Sequence, residues 1–397
     1  MKKILIIGAG FLQDFVIMKA RKMGYYTLAV DADSTAIGFT HADKYEIINI
    51  VDEKACLEFA QKEQIDGVLT AATDYGVLTA AYIAEHMGLP GLNYNSAKVI
   101  KNKYLVRKKL FENHVDDTEQ SYEVQNNTNI ESLAQKLIYP VMVKPCDGSG
   151  SRGTSRVDKP EMLKNACEYA MEGSITRRAE IETFITGEEY GVESLVVDGT
   201  VHILSIMKKY MTMPPYYAEL GHAIPSGLPS VIEKKIKQCV KKALKVLEIN
   251  HGSVNMDMIV TKEGGVHIID IGARMGGNMI GPCIIPYGTG IDYVGNILRA
   301  SVGEPTDWSV REHKAVVTKL LAFKGGVVKT MPDFEKIQQE YGVEIFHHLK
   351  EGDIINEYRT NLDGCGYIIA REKTVEIAKE KVDNVLKVIS YTHLTLP

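Results

Sequence analysis

The chain has 397 residues, of which 45% are apolar and 24% charged, and its formal net charge is -5. This length exceeds one hydrophobic core and predicts two to four domains of an ordinary globular protein. No basic block is present to bind nucleic acid, and no window approaches the roughly 20 apolar residues of a membrane span. The six cysteines form no Cys-x-x-Cys pair, so we expect reduced thiols and a cytoplasmic protein.

Residues 1–95 alternate short apolar runs with helical patterns. The predicted strands cover residues 4–7, 26–31, 44–50 and 67–70, and the predicted helices cover 12–23, 53–63 and 75–87. This alternation predicts a doubly wound, Rossmann-like domain. Gly8 and Gly10 begin a Gly-x-Gly-x-x-Gly dinucleotide signature, but Gln13 stands in place of the third glycine. In the signature that third glycine permits close helix packing. We therefore interpret the turn as structural.

Residues 96–190 are predicted to connect this domain to the next and to form a lid. One connecting helix is expected over residues 96–117, capped by Asn95 and Ser96 and ended near Asn113. Residues 118–190 then mix short strands and helices into an α+β segment of lid size. Its predicted strands are 120–124, 141–144 and 179–184, and its predicted helices are 130–137 and 160–171.

An apolar run that ends at Lys144 leads directly into a loop of Gly, Ser and Arg. The strand delivers a fixed positive charge, and glycines let backbone N–H groups approach an anion closely. Because the lysine precedes the glycines, this is not a P-loop. We interpret the stretch as a phosphate grip, with a solvated hairpin loop as the alternative. The candidate residues are Lys144, Gly148, Ser149, Gly150, Ser151, Arg152 and Gly153.

A hairpin is predicted around Asp198-Gly199, with strands over 191–197 and 201–207. The proline-rich loop that follows contains Tyr216, Tyr217, Glu219 and His222. These residues offer aromatic walls, an acid for an ammonium group and a titratable imidazole. An ordinary surface loop explains them equally well. A basic helix is predicted next, over residues 231–247.

Two strands joined by a turn at 262–265 place Asp257 and Asp270 on neighbouring backbones. Paired carboxylates are ligands that Mg²⁺ prefers. The flanking apolar residues predict buried strands, and buried acids need a cation or a hydrogen-bond network. We therefore favour a metal site over surface pairing with lysines. Arg274 follows the second acid and is expected to face the same place.

The composition changes near residue 311, which predicts a small α+β domain over residues 311–389 with a last helix over 374–388. We interpret His347 and His348 as ordinary surface residues. Residues 390–397 abandon the helical pattern and resemble translated sequencing-adapter read-through. We therefore treat them as a non-native tail and assign them no role.

Taken in order, these features resemble the ATP-grasp superfamily over about residues 1–310. Within it the chain is similar to the carboxylate-amine ligases related to biotin carboxylase and to the large subunit of carbamoyl-phosphate synthetase. The resemblance implies an α/β and α+β architecture, with an ATP-grasp lid over 118–190 and a metal and substrate subdomain over 191–310. It also implies an enzyme that uses ATP and Mg²⁺, or Mn²⁺, to make an acyl phosphate that an amine attacks, with release of ADP and phosphate.

The resemblance also implies nucleotide contacts. Lys103 and Lys144 would hold the α and β phosphates, and the loop 148–153 would close over the γ-phosphate. Glu182 would accept a hydrogen bond from the adenine amino group, and Glu189 would bind the ribose. Phe184 and Ile185 would line the adenine ring together with Glu182.

For the chemistry, Asp257 and Asp270 would hold Mg²⁺ between the β and γ phosphates, and Arg274 with Lys144 would be catalytic. The passage Glu219-Leu-Gly-His222 is similar to that of amino-acid-using ligases, so an α-amino acid is the expected substrate, with Glu219 and Arg274 beside it. The family commonly has Glu and, two residues later, Asn as metal ligands. Here Asp270 and Gly272 stand at these positions, which leaves a second Mg²⁺ open.

Three other functions stay open. One is a purine-pathway or carbamoyl-phosphate-type ATP-grasp enzyme. A nicotinamide dehydrogenase rests only on Gly8 and Gly10, and a non-catalytic nucleotide-binding regulator would have lost the acids or Arg274. We expect small-molecule partners, neither nucleic acid nor membrane, and leave a homodimer open.

Overall fold

The computed structural model describes residues 1–118, 120–150, 152–214 and 216–395, with side chains except at 362 and from 390 onward. Its main sheets are a parallel N-terminal sheet, an antiparallel lid sheet and an eight-stranded sheet that continues into the C-terminal region. This mixture confirms the predicted α/β and α+β class. Within the described residues, no helix is both long and apolar enough to cross a bilayer.

The N-terminal domain is a four-stranded parallel sheet in the order β3-β2-β1-β4, with helices packed against it. Gln13 donates its side-chain amide to the Ala71 carbonyl oxygen at 2.5 Å and packs beside Gly8. A side chain therefore fills the space beside the glycine turn. The elements are β1 (Lys3–Ile7), α1 (Phe11–Lys22), β2 (Tyr26–Asp31), β3 (Lys44–Ile47), α2 (Glu53–Glu63), β4 (Gly67–Thr70) and α3 (Val77–Met87).

The prediction of one connecting helix over 96–117 is wrong, because two helices form, α4 (Tyr94–Ile100) and α5 (Lys103–Glu112). Asn93, rather than Asn95 or Ser96, caps α4 by accepting from the Asn95 backbone N–H at 2.9 Å. Asn102 starts α5 by accepting from the Leu105 N–H at 3.1 Å. Each cap satisfies an N–H that a new helix leaves without a partner, so these caps divide the basic segment.

The lid is an antiparallel sheet in the order β5-β8-β6-β7, with α7 packed on it. The pairing of β6 with β8 brings Lys144 opposite Glu180 and two residue pairs away from Glu182. The described elements are β5 (Ser121–Val124), α6 (Ile130–Ala134), β6 (Val141–Pro145), β7 (Ser155–Val157), α7 (Leu163–Glu172) and β8 (Ala179–Thr183).

The eight-stranded sheet has the order β13-β12-β9-β10-β11-β14-β18-β16, so it crosses the boundary predicted between residues 310 and 311. Asp198 and Gly199 have positive φ values of 47° and 77°, as a tight hairpin turn requires. The central elements are β9 (Glu188–Val197), β10 (Thr200–Met211), β11 (Glu219–Ile224), α8 (Ser230–Val246), β12 (Gly252–Val260), β13 (Val266–Gly272), α9 (Ile285–Thr289) and α10 (Tyr293–Ser301).

The C-terminal region packs α11 and α12 against the end of this sheet. His347 is half-buried and stacks on Phe334 with ring centroids 4.1 Å apart, which corrects its interpretation as a surface residue, whereas His348 is exposed. The elements are β14 (Ala315–Leu320), β15 (Lys324–Val328), α11 (Phe334–Tyr341), β16 (Glu344–His347), β17 (Ile354–Glu357), β18 (Gly366–Glu372), α12 (Val375–His393) and β19 (Leu394–Thr395).

The last residues differ from the expected tail in one respect. The backbone of α12 continues to His393, five residues beyond the predicted helix end at 388. Residues 396 and 397, and the side chains from 390 onward, lie outside the described part of the chain. The non-native origin of this tail stays a prediction.

Candidate active site

A cavity of about 1070 Å³ lies between the lid, the central sheet and the loops that follow β4 and β13. This volume lies at the upper end of the roughly 300–1,000 Å³ typical of small-molecule sites. Nearly every predicted site residue lines it, from Lys103 and Lys144 to Glu219 and Arg274. Gly153 does not line it, and Ser151 lies outside the described residues.

The two predicted phosphate lysines reach this cavity from different elements. Lys103 begins α5 and places its Nζ 2.5 Å from Asp270, while Lys144 lies one residue before the end of β6 and forms an ion pair with Glu182. Burial disfavours a charged lysine, but Asp270 outweighs it and raises the pKa of Lys103. The lid and the connecting helix therefore bring two cations to one region, where phosphate charge can be neutralised.

Glu182 has partners that the sequence did not reveal. Its carboxylate receives Lys144 and also the buried Arg107, whose Nη2 lies 2.8 Å away. Arg107 additionally pairs with Asp116 at 3.1 Å. The Glu182 side chain therefore faces two cations, and its contact with the adenine amino group stays a prediction. Phe184 and Ile185 still line the cavity next to it.

The glycine-rich loop is held towards the N-terminal domain by its arginine. Arg152 donates from Nη2 to the Tyr75 hydroxyl at 2.8 Å and from Nε to the Ser149 carbonyl at 3.3 Å. Gly150 and Gly153 have φ values of 68° and 70°, a region that favours glycine. The loop conformation thus depends on its glycines and on one contact outside the lid.

Nucleotide is expected to change the exchange of this loop, because the loop must open to admit ATP and close to exclude water. Backbone amides of residues 148–150 and 152–153 should exchange fast in the free protein. We expect slower exchange when an ATP analogue and Mg²⁺ are added, measured by hydrogen–deuterium exchange. Buried strand β9 is the internal control. Slow exchange without nucleotide that nucleotide leaves unchanged would contradict a mobile lid.

The predicted metal acids meet as expected. Asp257 on β12 lies directly opposite Asp270 on β13. Burial raises the pKa of Asp257 to about 6, whereas at Asp270 the Lys103 charge outweighs burial and lowers the pKa to about 2. Two adjacent carboxylates, each facing a cation in this structure, are an oxygen donor set that fits Mg²⁺.

The glycine that replaces the usual amide ligand has a packing reason. A Cβ at Gly272 would lie 2.8 Å from the Asp74 carboxylate and 3.0 Å from the Arg274 guanidinium carbon. Asp74, from the loop after β4, accepts from Arg274 Nη2 at 2.9 Å. The Asp74–Arg274 ion pair therefore fills the space that an asparagine side chain would need.

Lys209 is a residue of this cavity that sequence reasoning missed. Its side chain on β10 is only 2% exposed, and its Nζ lies 2.6 Å from Glu219, 2.9 Å from Asp257 and 3.4 Å from Glu189. The predicted strand stopped at residue 207, although β10 continues to Met211 and pairs Lys209 with His222. Extending the alternation of this strand by two residues would have placed Lys209 on the site face.

Two of the predicted substrate residues, Glu219 and His222, lie beside this lysine. The Glu219 carboxylate accepts from Asn278 and from Asn361, the latter at 3.3 Å. Although burial opposes it, Lys209 lowers the pKa of Glu219 to about 2. Lys209 balances only one of its three acids, so the cluster keeps negative charge that can attract an ammonium group.

His222 faces the same space as a neutral ring. Burial lowers its pKa to about 4, so it is uncharged near neutral pH. Its backbone N–H donates to Thr318 Oγ1 at 3.2 Å, and its Nδ1 has no hydrogen-bond partner in the described part of the chain. The Nδ1 atom is therefore a buried polar atom that this structure leaves unsatisfied.

Comparison with known proteins gives matches over most of the chain. Residues 137–282 match the ATP-grasp domain family, and residues 319–392 match L-amino acid ligase C-terminal domain 2. The L-arginine-specific L-amino acid ligase of Bacillus subtilis is 21% identical over 82% of this chain and 80% of its own length. The structure of an L-amino acid ligase from Bacillus licheniformis superposes with a TM-score of 0.86 at 22% identity, covering 100% of this chain and 99% of that one. Phosphoribosylglycinamide synthetase from Anaerococcus prevotii gives 0.78 at 25% identity, with all of both chains covered.

Proposed function

Because the chain is an ATP-dependent carboxylate-amine ligase with an ATP-grasp domain, we propose that it activates the carboxylate of an α-amino acid and joins it to an amine. The observation that carries this proposal is one cavity containing both a net negative cluster and a guanidinium. Glu219 belongs to the cluster around Lys209, and Arg274 supplies the guanidinium. An amino acid presents complementary charges, an ammonium group and a carboxylate.

The proposed reaction has two steps. A carboxylate oxygen bonds to the γ-phosphorus of ATP, and the bond to ADP breaks. The amine nitrogen then bonds to the acyl carbon, phosphate leaves with the bonding electrons, and the departing phosphate takes up a proton from the nitrogen. The carboxylate must first be activated because it is a poor electrophile, and the cavity must exclude water from the acyl phosphate.

This chain's residues supply charge and orientation for these steps. Lys103 and Lys144 are placed to bind phosphate oxygens, and Arg274 is placed to stabilise the acyl phosphate and the tetrahedral adduct. Asp257 and Asp270 would hold Mg²⁺, which adds positive charge at the phosphates when it is bound. His222 lines the cavity and would act on the substrate as a neutral ring rather than through charge.

The proposal is tested by measuring ADP release from purified protein with Mg²⁺, ATP and pools of amino acids, alone and in pairs. We expect release that depends on an α-amino acid and yields an amide product by mass spectrometry. The Lys144→Ala variant controls for contaminating ATPases. Release that requires a phosphoribosyl amine, or only acids without an amino group, would overturn the amino acid and favour a purine-type enzyme.

Glu219→Gln is expected to raise KM for the amino acid roughly ten- to a hundredfold, the value of a hydrogen bond to a charged group. KM for ATP should change little, because only one ligand loses a charge partner. The matched control is Glu189→Gln, which also removes an acid next to Lys209 but should affect ATP, since Glu189 is assigned to the ribose. Equal changes in both KM values for Glu219→Gln would contradict the assignment.

The proposed function predicts where the protein is located, and its oligomeric state can be measured separately. A ligase that consumes ATP and small molecules is expected in the cytoplasm, and a homodimer stays a prediction. Light scattering of the purified chain distinguishes about 44 kDa for a monomer from twice that mass.

A further inference from the structure

Glu193 is a buried acid next to the site that neither the phosphate contacts nor the metal acids require. It lies on β9 with 0% of its surface exposed. Its Oε1 accepts from the Gly276 backbone N–H at 2.9 Å and from the Tyr293 hydroxyl at 2.6 Å. Its Oε2 accepts from the Asn255 side-chain amide at 2.9 Å. Three donors from three segments therefore converge on one carboxylate.

The three donors require hydrogen-bond acceptors, but they do not require a charged group. No ion pair reaches Glu193 within the described residues, and burial raises its pKa to about 7 despite the three donors. The Arg274 charge acts on Glu193 without forming an ion pair with it. Burying a charge without an ion-pair partner lowers stability, so core packing alone gives no reason for an acid here. A glutamine could not accept from all three donors, because its amide nitrogen donates where one carboxylate oxygen accepts. A carboxyl group that accepts on both oxygens is thus the feature to explain.

The loop that Glu193 contacts carries Arg274. Gly276 lies two residues after the arginine, and a Cβ on it would come 2.9 Å from Glu193 Oε2. The Met275 carbonyl accepts from Ala72 N at 3.0 Å, and Asp74 holds the guanidinium. The N-terminal domain therefore holds this loop from one side, and Glu193 holds its backbone from the sheet side.

We propose that Glu193 is a positioning residue that fixes the Arg274 loop against the sheet, so that the guanidinium meets the acyl phosphate. This inference rests on the proposed role of Arg274. Glu193 lies on the same strand and in the same alternation as Gly191, which opposes Asp257. Glu193 therefore connects the Arg274 loop to the strands that carry the metal acids, and it fixes the distance between the guanidinium and these acids.

The test is a double-mutant cycle between Glu193→Gln and Arg274→Lys, with kcat and KM measured from ADP release using whichever acid and amine the wild type accepts. Glu193→Gln alone should lower kcat about 10- to 100-fold, the effect of misplacing a catalytic group by about 1 Å. KM for ATP should stay within about twofold. In the Arg274→Lys background the same change should cost less than about twofold, because its effect passes through the arginine.

The control is Tyr293→Phe, which removes one donor to Glu193 and leaves the Gly276 contact, and should keep kcat within about threefold. If Glu193→Gln does not fold, Gly276→Ala moves the loop directly and should give the same loss of kcat. Additive effects in the cycle, or a parallel rise in KM for ATP, would overturn the positioning role. A wild-type substrate that is not an amino acid would overturn the proposed function and leave this cycle unaffected.

Discussion

Asp270→Asn and Lys144→Ala are each expected to lower substrate-dependent ADP release by about 10³-fold, the upper value for removing one preorganised charge contact. Asp270 is the acid that faces both Asp257 and Lys103, so its amide would weaken the metal site and release a phosphate lysine. Lys144 supplies the charge at the start of the glycine-rich loop. Both variants should remain folded, because asparagine is isosteric and Glu182 keeps its contact with Arg107.

The measurement is steady-state ADP release together with circular dichroism and a thermal unfolding curve for each variant. Lys208→Ala is the matched control, because Lys208 also lines the cavity. Its Nζ lies 2.7 Å from Glu188, which is not one of the metal acids. We expect that control to retain activity within about threefold, as for a partly exposed ion pair. Wild-type rates in both site variants would remove the proposed centre.

Lys209→Met is expected to lower the free energy of unfolding by about 2–3 kcal/mol, somewhat less than for a deeply buried ion pair because the acids are partly exposed. Methionine keeps the apolar stem and removes the ammonium that three carboxylates share. Mg²⁺ should restore part of the loss in the variant, because a cation at Asp257 replaces the missing charge, and should change the wild type less.

Urea unfolding in EDTA and in millimolar Mg²⁺ measures both effects. Lys208→Met is the control, and its free energy of unfolding should stay close to that of the wild type in both conditions. A Lys209→Met protein as stable as the wild type in EDTA would show that the three acids do not depend on this lysine. Equal effects of Mg²⁺ on variant and wild type would place the metal away from Asp257.

Local features of the sequence predicted much of the fold. The strands of the N-terminal sheet, the Asp198-Gly199 hairpin and the pairing of Asp257 with Asp270 follow from alternation and turn residues a few positions apart. The missed features join distant segments. Asp74 and Arg274 are 200 residues apart, and Arg107 and Glu182 are 75 apart. No periodic pattern encodes such ion pairs, because they depend on how finished domains pack.

The missed helix break has a different origin. Residues 96–117 contain many lysines with good helix propensity, and their pattern favours one helix. The side chains of Asn93 and Asn102 override it by capping two shorter helices. The second cap also starts α5 at Lys103, which directs this lysine to Asp270. A wrong boundary in the sequence analysis therefore concealed how a site residue is placed.

The contact between the N-terminal domain and Arg274 limits how this enzyme can be recombined with its relatives. A chimera that exchanges residues 1–95 leaves every strand of the central sheet intact, yet it replaces Asp74 and Tyr75. Arg274 and Arg152 would then lose the partners that hold them at 2.9 and 2.8 Å. A chimera that keeps activity must exchange the loop after β4 together with residues 272–278. For this site, two segments that are distant in sequence therefore have to be replaced together, rather than one domain.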